Sequence, residues 1–161
     1  MMSGDRRSLS SVDRAILRIV QKDANSRLEA IAEEAGASVP TIQRRLRHLR
    51  ETGVIEGEIA LVDPEAVEQG MTFLILVEME RERIDILDTF RRKINAEPQV
   101  QQCYYITGEA DFALIALAKD MNEYQQLIQR LFFDDTNVKR FRTSVVMDRT
   151  KVGLNVPVSV S

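Results

Sequence analysis

Apolar residues in the first third of the chain recur every three or four positions. Ala15, Ile16, Ile19 and Val20 fall on one side of a helix, and Leu28, Ile31, Ala32 and Ala35 on one side of a second. Ile42, Leu46 and Leu49, at i, i+4 and i+7, give a third helix its buried stripe. Ser10 with Asp13, and Ser26 with Glu29, have the spacing of a capping box, in which the hydroxyl accepts from the backbone three residues on and the acid reaches back. Gly36 stands where a left-handed residue closes the second helix. Ser38 is an N-cap for the third, and Pro40 falls in its first turn, where a missing N–H costs little. Gly53 ends that helix. Three helices with a tight glycine-bearing turn between the second and third describe a helix-turn-helix.

Beyond the helices the period shortens. Glu58–Val62 alternates, with Ile59 and Leu61 on one side, and is expected as a short linker strand; Asp63 and Pro64 then open a helical turn that ends at Gly70. Thr72–Met79 is rich in β formers. Ile84–Ala96 is an amphipathic helix with Leu87, Phe90 and Ile94 on one face. Val100–Thr107 and Phe112–Ala118 are strands around the turn Gly108-Glu109-Ala110-Asp111. Met121–Phe133 is a helix carrying Tyr124, Leu127, Ile128 and Leu131. In Val138–Asp148, Phe141, Thr143, Val145 and Met147 alternate with Arg140, Arg142 and Ser144. The order β-α-β-β-α-β is the ferredoxin-like arrangement. Two helices cover one face of such a sheet. Outward positions on the first and third strands are also apolar, so the other face calls for a second chain, and a homodimer follows. The predicted fold class is α+β: an N-terminal three-helix, winged-type helix-turn-helix domain over residues 1–57, a linker over 58–70, and a C-terminal ferredoxin-like βαββαβ domain over 71–161.

Composition narrows the chemistry. Of 161 residues, 44% are hydrophobic and 29% charged, which suits a folded chain with a core. The longest apolar runs fall far short of the roughly 20 residues that cross a bilayer. Met1–Ser11 is polar and is not a secretory signal. One cysteine, Cys103, and one histidine, His48, exclude a disulfide framework, a cysteine zinc site and a histidine cluster. A Cys103–His48 dyad would have to form across two domains. A non-enzyme without cofactor or metal, in a reducing cytoplasm, is the expectation.

Charge is uneven. Residues 1–57 hold ten Lys/Arg against eight Asp/Glu, and residues 58–161 hold twelve against seventeen. Within Ser38–Thr52 four arginines face Glu51 alone. A basic helix on an acidic protein points either at a local polyanion contact or at a solvated face. With Ile42 inward, a helical wheel turns Arg44, Arg47 and His48 outward, with Pro40 beside them and Thr41 and Gln43 on the flanks. Thr41, Gln43 and Arg44 suit base edges in a major groove. Arg47 and His48 suit phosphates. Ser38 is a cap whose neighbouring N–H groups can also hold a phosphate. Arg45 lies nearer the buried side, as an intramolecular partner or as a DNA contact.

Leu9-Ser10-x-x-Asp13-x-x-Ile16-Leu17, Leu28-x-x-Ile31-Ala32 and Ser38-x-x-Thr41-x-x-Arg44-Arg45-Leu46-x-x-Leu49-x-x-x-Gly53-Val54-Ile55 together resemble the Lrp/AsnC family of transcription regulators. Pro40 departs by one place from that family's usual proline. The second half resembles the family's regulator of amino acid metabolism domain through Thr107-Gly108-Glu109-Ala110-Asp111-Phe112 and through Val138–Lys151. Phe133-Asp134-Asp135-Thr136-Asn137 stands where a proline-glycine turn is common. The resemblance spans roughly residues 9–151. It implies a regulator that binds double-stranded DNA as a dimer or higher homo-oligomer. It also implies an amino acid, or a related small molecule, bound where dimers meet, on Thr107, Gly108, Glu109, Ala110 and Asp111. A plain β-turn is the competing account of that loop, and a Glu109/Asp111 acid–base pair a third. Another reading of the whole chain is an amino-acid-sensing module whose helical domain contacts a protein. Cys103 reads as a small buried hydrophobe. Tyr104 and Tyr105 point to opposite faces of their strand.

Overall fold

A computed structural model of the chain describes residues 9–81, 83–133, 135 and 137–159; the stretch through Ser8, together with Asp134 and Thr136 of the departing turn, lies outside the described residues. The chain divides into two compact units. One runs to Ala60 and takes in the chain's end from Lys151, and the other is Leu61–Thr150.

In the first unit α1 (Ser11–Val20), α2 (Leu28–Ala35) and α3 (Val39–Glu51) pack their apolar stripes together. Ile16, Ile31, Ile42, Leu46 and Leu49 form the core. The capping box of Ser10 and Asp13 is present. The second expected box is not. Ser26 Oγ donates instead to the Asp23 carbonyl at 2.9 Å, in a turn that Asp23 also closes on Asn25, and Arg27 takes the N-cap of α2 without a side-chain bond. The turn competes for the hydroxyl and wins. Gly36, at φ 62°, adopts the left-handed conformation, and its N–H returns to the carbonyls of α2. Ser38 then caps α3, with Pro40 in the first turn.

Residues 53–62 carry no strand, contrary to the expectation for Glu58–Val62. Ile59 and Leu61 are 72% and 87% exposed. An alternating segment becomes a strand only when a ladder is offered to it, and among the described residues none is. A single 3-10 turn, Glu65–Val67, follows, with Asp63 accepting from Glu65 N–H.

The second unit is built from β1 (Met71–Met79), α4 (Ile84–Asn95), β2 (Val100–Tyr105), β3 (Phe112–Ala118), α5 (Met121–Ile128) and β4 (Val138–Val145). The sheet order is β2-β3-β1-β4, antiparallel throughout. Phe73, Ile75, Val77, Phe112 and Leu114 share a core with Leu87, Phe90 and Ile94 of α4 and Tyr124 and Leu127 of α5. Phe73 stacks on Tyr124 at 4.2 Å and Phe90 packs on Phe112 at 4.8 Å. The expected helix Met121–Phe133 ends as a π-helical turn, Gln129–Phe133, and Lys93 Nζ donates to the Leu131 carbonyl at 2.8 Å. Widening the last turn buries both Leu131 and Phe132.

Two expectations about the end of the chain are corrected. β4 stops at Val145, shortly before Met147, which is 94% exposed. Residues from Lys151 belong with the helical unit, where Val158 packs against the core, and not with the sheet. Among the described residues no helix is long and apolar enough to cross a membrane.

Phe90 is 1% exposed and touches both sheet and π-turn aromatics. Phe90→Ala should destabilise the sheet unit by about 3–5 kcal/mol. Urea unfolding followed by circular dichroism measures this, and a loss below about 1 kcal/mol would contradict the packing described.

Candidate functional site

α3 presents its polar side as the wheel anticipates. Pro40, Gln43, Arg44 and Arg47 are exposed, Thr41, Arg45 and His48 half-buried, and Ile42, Leu46 and Leu49 buried. At the N-terminal end Ser38 Oγ accepts from Thr41 N–H at 3.4 Å and shares a hydrogen bond with Thr41 Oγ1 at 2.9 Å. Among the described residues Arg44 and Arg47 form no ion pair. Arg50, one turn on, is held by Glu58 at 2.6 Å. Two guanidinium groups therefore stand free on one helical face.

Arg45 goes the other way. Its Nε and Nη2 donate to the two carboxylate oxygens of Asp13 at 2.7 and 2.8 Å. The Asp13 side chain is wholly excluded from solvent, whereas that of Arg45 is 31% exposed. Ser10 donates to the same carboxylate from its backbone N–H at 2.9 Å and from its hydroxyl at 2.7 Å. Burial opposes the charge on Asp13. The hydrogen bonds from Arg45 and Ser10 outweigh it and hold the carboxyl below its ordinary range. Sequence reasoning recognised Asp13 only as a cap. Its second role depends on α1 and α3 crossing, which no local spacing encodes.

The loop between β2 and β3 is also built from the backbone outward. Gly108 sits at φ 122°, a region that side chains rarely adopt. Ile106 N–H donates to the Asp111 carbonyl at 2.8 Å and Asp111 N–H to the Val77 carbonyl at 2.9 Å. The Asp111 carboxylate accepts from Met79 N–H at 2.6 Å, tying the loop to the end of β1. Thr107 and Glu109 are exposed and Ala110 is buried. Arg142 lies 3.5 Å from Glu109, and Glu78 is paired with Lys139 and Arg140 beside it. Arg140, Arg142 and Glu78 are neighbours that sequence reasoning missed as such, because they reach the loop only through the β1–β4 register. The hollow among them is about 10 Å³, room for a water and no amino acid.

Cys103 and Tyr105 face the helix side, opposite Leu114 and Phe112. They line a cleft of about 220 Å³ with Arg91, Ile94 and Asn95. Burial pushes the Cys103 thiol up. Tyr104 lies on the open face. One row across the sheet there reads Tyr104, Ala113, Leu76, Arg142, and the next reads Gln102, Ile115, Leu74, Ser144.

Comparison with known proteins bears on both units. The profile described as winged helix-turn-helix DNA-binding matches residues 9–56, and that described as Lrp/AsnC ligand binding domain matches residues 72–156. The chain belongs to the Lrp/AsnC family. An uncharacterized HTH-type transcriptional regulator, y4tD of Sinorhizobium fredii, is 43% identical over 94% of this chain and 90% of its own. Transcriptional regulator AzlB of Bacillus subtilis is 31% identical over 93% and 96%. Among solved structures, the transcriptional regulator NMB0573/L-Met complex from Neisseria meningitidis superposes with a TM-score of 0.85 at 27% identity, covering 93% of this chain and 97% of that one. An AsnC family transcriptional regulator from Agrobacterium tumefaciens gives 0.84 at 26%, covering 96% and 97%. Membership assigns the helical unit as a DNA-binding domain and the sheet unit as a ligand-binding one.

Because the folded Asp13 carboxyl is depressed, its contribution to stability is full above the unfolded pKa, about 3.9, and is lost as pH falls through the lower folded value. Arg45→Met leaves a buried carboxylate unpaired. It should cost about 2–3 kcal/mol at pH 7, less than for a fully buried pair because Arg45 is partly exposed. The deficit should shrink below pH 4. Chemical denaturation at pH 7 and pH 3 tests this, and an equal deficit at both would contradict it.

Proposed function

We propose that this Lrp/AsnC regulator reads its DNA site through the outer face of α3 and responds to an amino acid at a site completed by a second chain. One observation carries the first half: Arg44 and Arg47 stand unpaired and outward on a helix whose other two arginines, Arg45 and Arg50, are engaged by Asp13 and Glu58. Thr41, Gln43 and Arg44, near the N-terminal end, contact base edges. Arg47 and His48 meet phosphates, as do the N–H groups that follow Ser38. Pro40 fixes the approach of the first turn. Arg45, held by Asp13, orients the helix and leaves reading to its neighbours.

The open sheet face supports dimerisation. Leu74 is 37% exposed and Leu76 and Ile115 are partly so, in register across β1 and β3. A second copy laid face to face buries them, and sets two copies of α3 on successive major grooves, about one helical turn apart or a multiple of it. The effector reading rests on the loop Thr107, Gly108, Glu109, Ala110, Asp111 and on a relative solved with L-methionine. A hollow of about 10 Å³ in one chain leaves the remaining walls to a partner. A Glu109/Asp111 proton-transfer pair is disfavoured: Asp111 is engaged by Met79 N–H and Glu109 lies against Arg142. The protein acts in the cytoplasm, where its DNA is, and without catalysis.

Arg44→Ala should cost about 1–3 kcal/mol on the specific site and relax its sequence preference. Arg47→Ala should weaken binding on all sequences alike and reduce the salt slope by about one. Gel retardation over a salt series reads both. Retardation without sequence selectivity in the unaltered protein would favour a protein partner for the helical unit instead. Leu76→Glu should convert dimers to monomers in sedimentation, and an unchanged mass would move the interface elsewhere.

A further inference from the structure

Residues 151–159 leave the sheet unit and run without secondary structure along α1. The Gln21 side-chain amide clasps the backbone of Val156 at both ends. Its Oε1 accepts from Val156 N–H at 2.8 Å, and its Nε2 donates to the Val156 carbonyl at 3.2 Å. Asn155 Nδ2 donates to the Gln21 carbonyl at 3.1 Å, satisfying an acceptor that the end of α1 leaves open. Arg14 Nη1 donates to Ser159 Oγ at 2.6 Å. Between these bonds Val158 is half-buried against the helical core. Pro157 restricts Val156 to extended backbone, so the clasp finds its partner groups already presented. The bonds join residues more than 130 positions apart, and none comes from the segment's own local structure.

We propose that this segment is a strap, a second tether on the DNA-binding unit, and that Gln21 is a positioning residue for DNA binding. The inference rests on the two-headed reading above. The chain crosses between its units twice, after Ala60 and after Thr150. With the strap closed, the helical unit is held at both crossings. With it open, the unit hangs on the exposed connector alone and explores a larger volume. The effective concentration of a second head at its half-site then falls, although each head's contacts with DNA are untouched. The strap is thus a device for paired-site affinity.

The test compares the full chain with Gln21→Ala and with a chain ending at Thr150. Hydrogen exchange at the Val156 amide, whose N–H donates to Gln21 Oε1, reads the strap itself and should quicken in Gln21→Ala. Affinity is measured on duplexes carrying one or two copies of a half-site recovered by selection from random DNA. Both variants should lose about fivefold or more on the paired site and less than about twofold on the single one. The slope of affinity against salt should stay unchanged, because no phosphate contact is lost. Equal losses on both duplexes would make the segment a stabiliser only and overturn the proposal. Unaltered exchange at Val156 in Gln21→Ala would overturn the strap. If the full chain showed no preference for paired over single sites, the two-headed reading would fail, and the strap's proposed purpose with it.

Discussion

A carboxylate buried between two helices sets the geometry on which the DNA-binding unit depends. α3 is short of apolar anchors: Ile42, Leu46 and Leu49 fix which side faces in. The Asp13–Arg45 pair adds a directional lock, because a guanidinium fork meets a carboxylate in one plane. Desolvating Asp13 is costly, and the donors from Ser10 and Arg45 offset that cost only in this arrangement. Rotating α3 would break both bonds from Arg45 and leave the buried carboxylate to Ser10 alone. Arg44 and Arg47 owe their outward direction to the same lock, one residue before Arg45 and two after it.

The sheet unit obeys a different constraint. Its helices cover one face, and the register of β1 with β3 and β4 brings Tyr104, Leu76 and Arg142 into one row on the other. The loop proposed to meet the effector stands at the end of that face, tied down by Asp111 and bordered by Arg140 and Arg142. A single chain presents this loop as part of a surface and not as an enclosed cavity. Under the proposed reading, ligand recognition and assembly are two outcomes of covering one face, which gives an effector leverage over oligomeric state: it need only bind one assembly more tightly than another.

Much of this was legible in the sequence, for physical reasons that differ by element. The three helices and the βαββαβ order were written in short-range periodicity, and Ser10, Gly36 and Ser38 in local caps. Where local signals compete, reading failed: Ser26 preferred the Asp23 turn to its box, and Glu58–Val62 had the alternation of a strand but no ladder. Pairings over long separations were illegible. Asp13 with Arg45, Gln21 with Val156, and Arg142 with Glu109 arise only once the elements pack. The outer face of α3 was readable because one apolar stripe determines the opposite side. Arg45 alone stayed ambiguous, since it lies between the two sides and its partner is 32 residues away.

The account stands on α3 meeting DNA with Arg45 still engaged inside the unit. A crystal structure of the protein on a selected duplex measures this directly. It should show the Arg45 guanidinium on Asp13 at hydrogen-bonding distance, with Arg44 in the major groove and Arg47 on the backbone. Arg45 swung out to a base or phosphate, with Asp13 left to Ser10 alone, would contradict the account at its foundation.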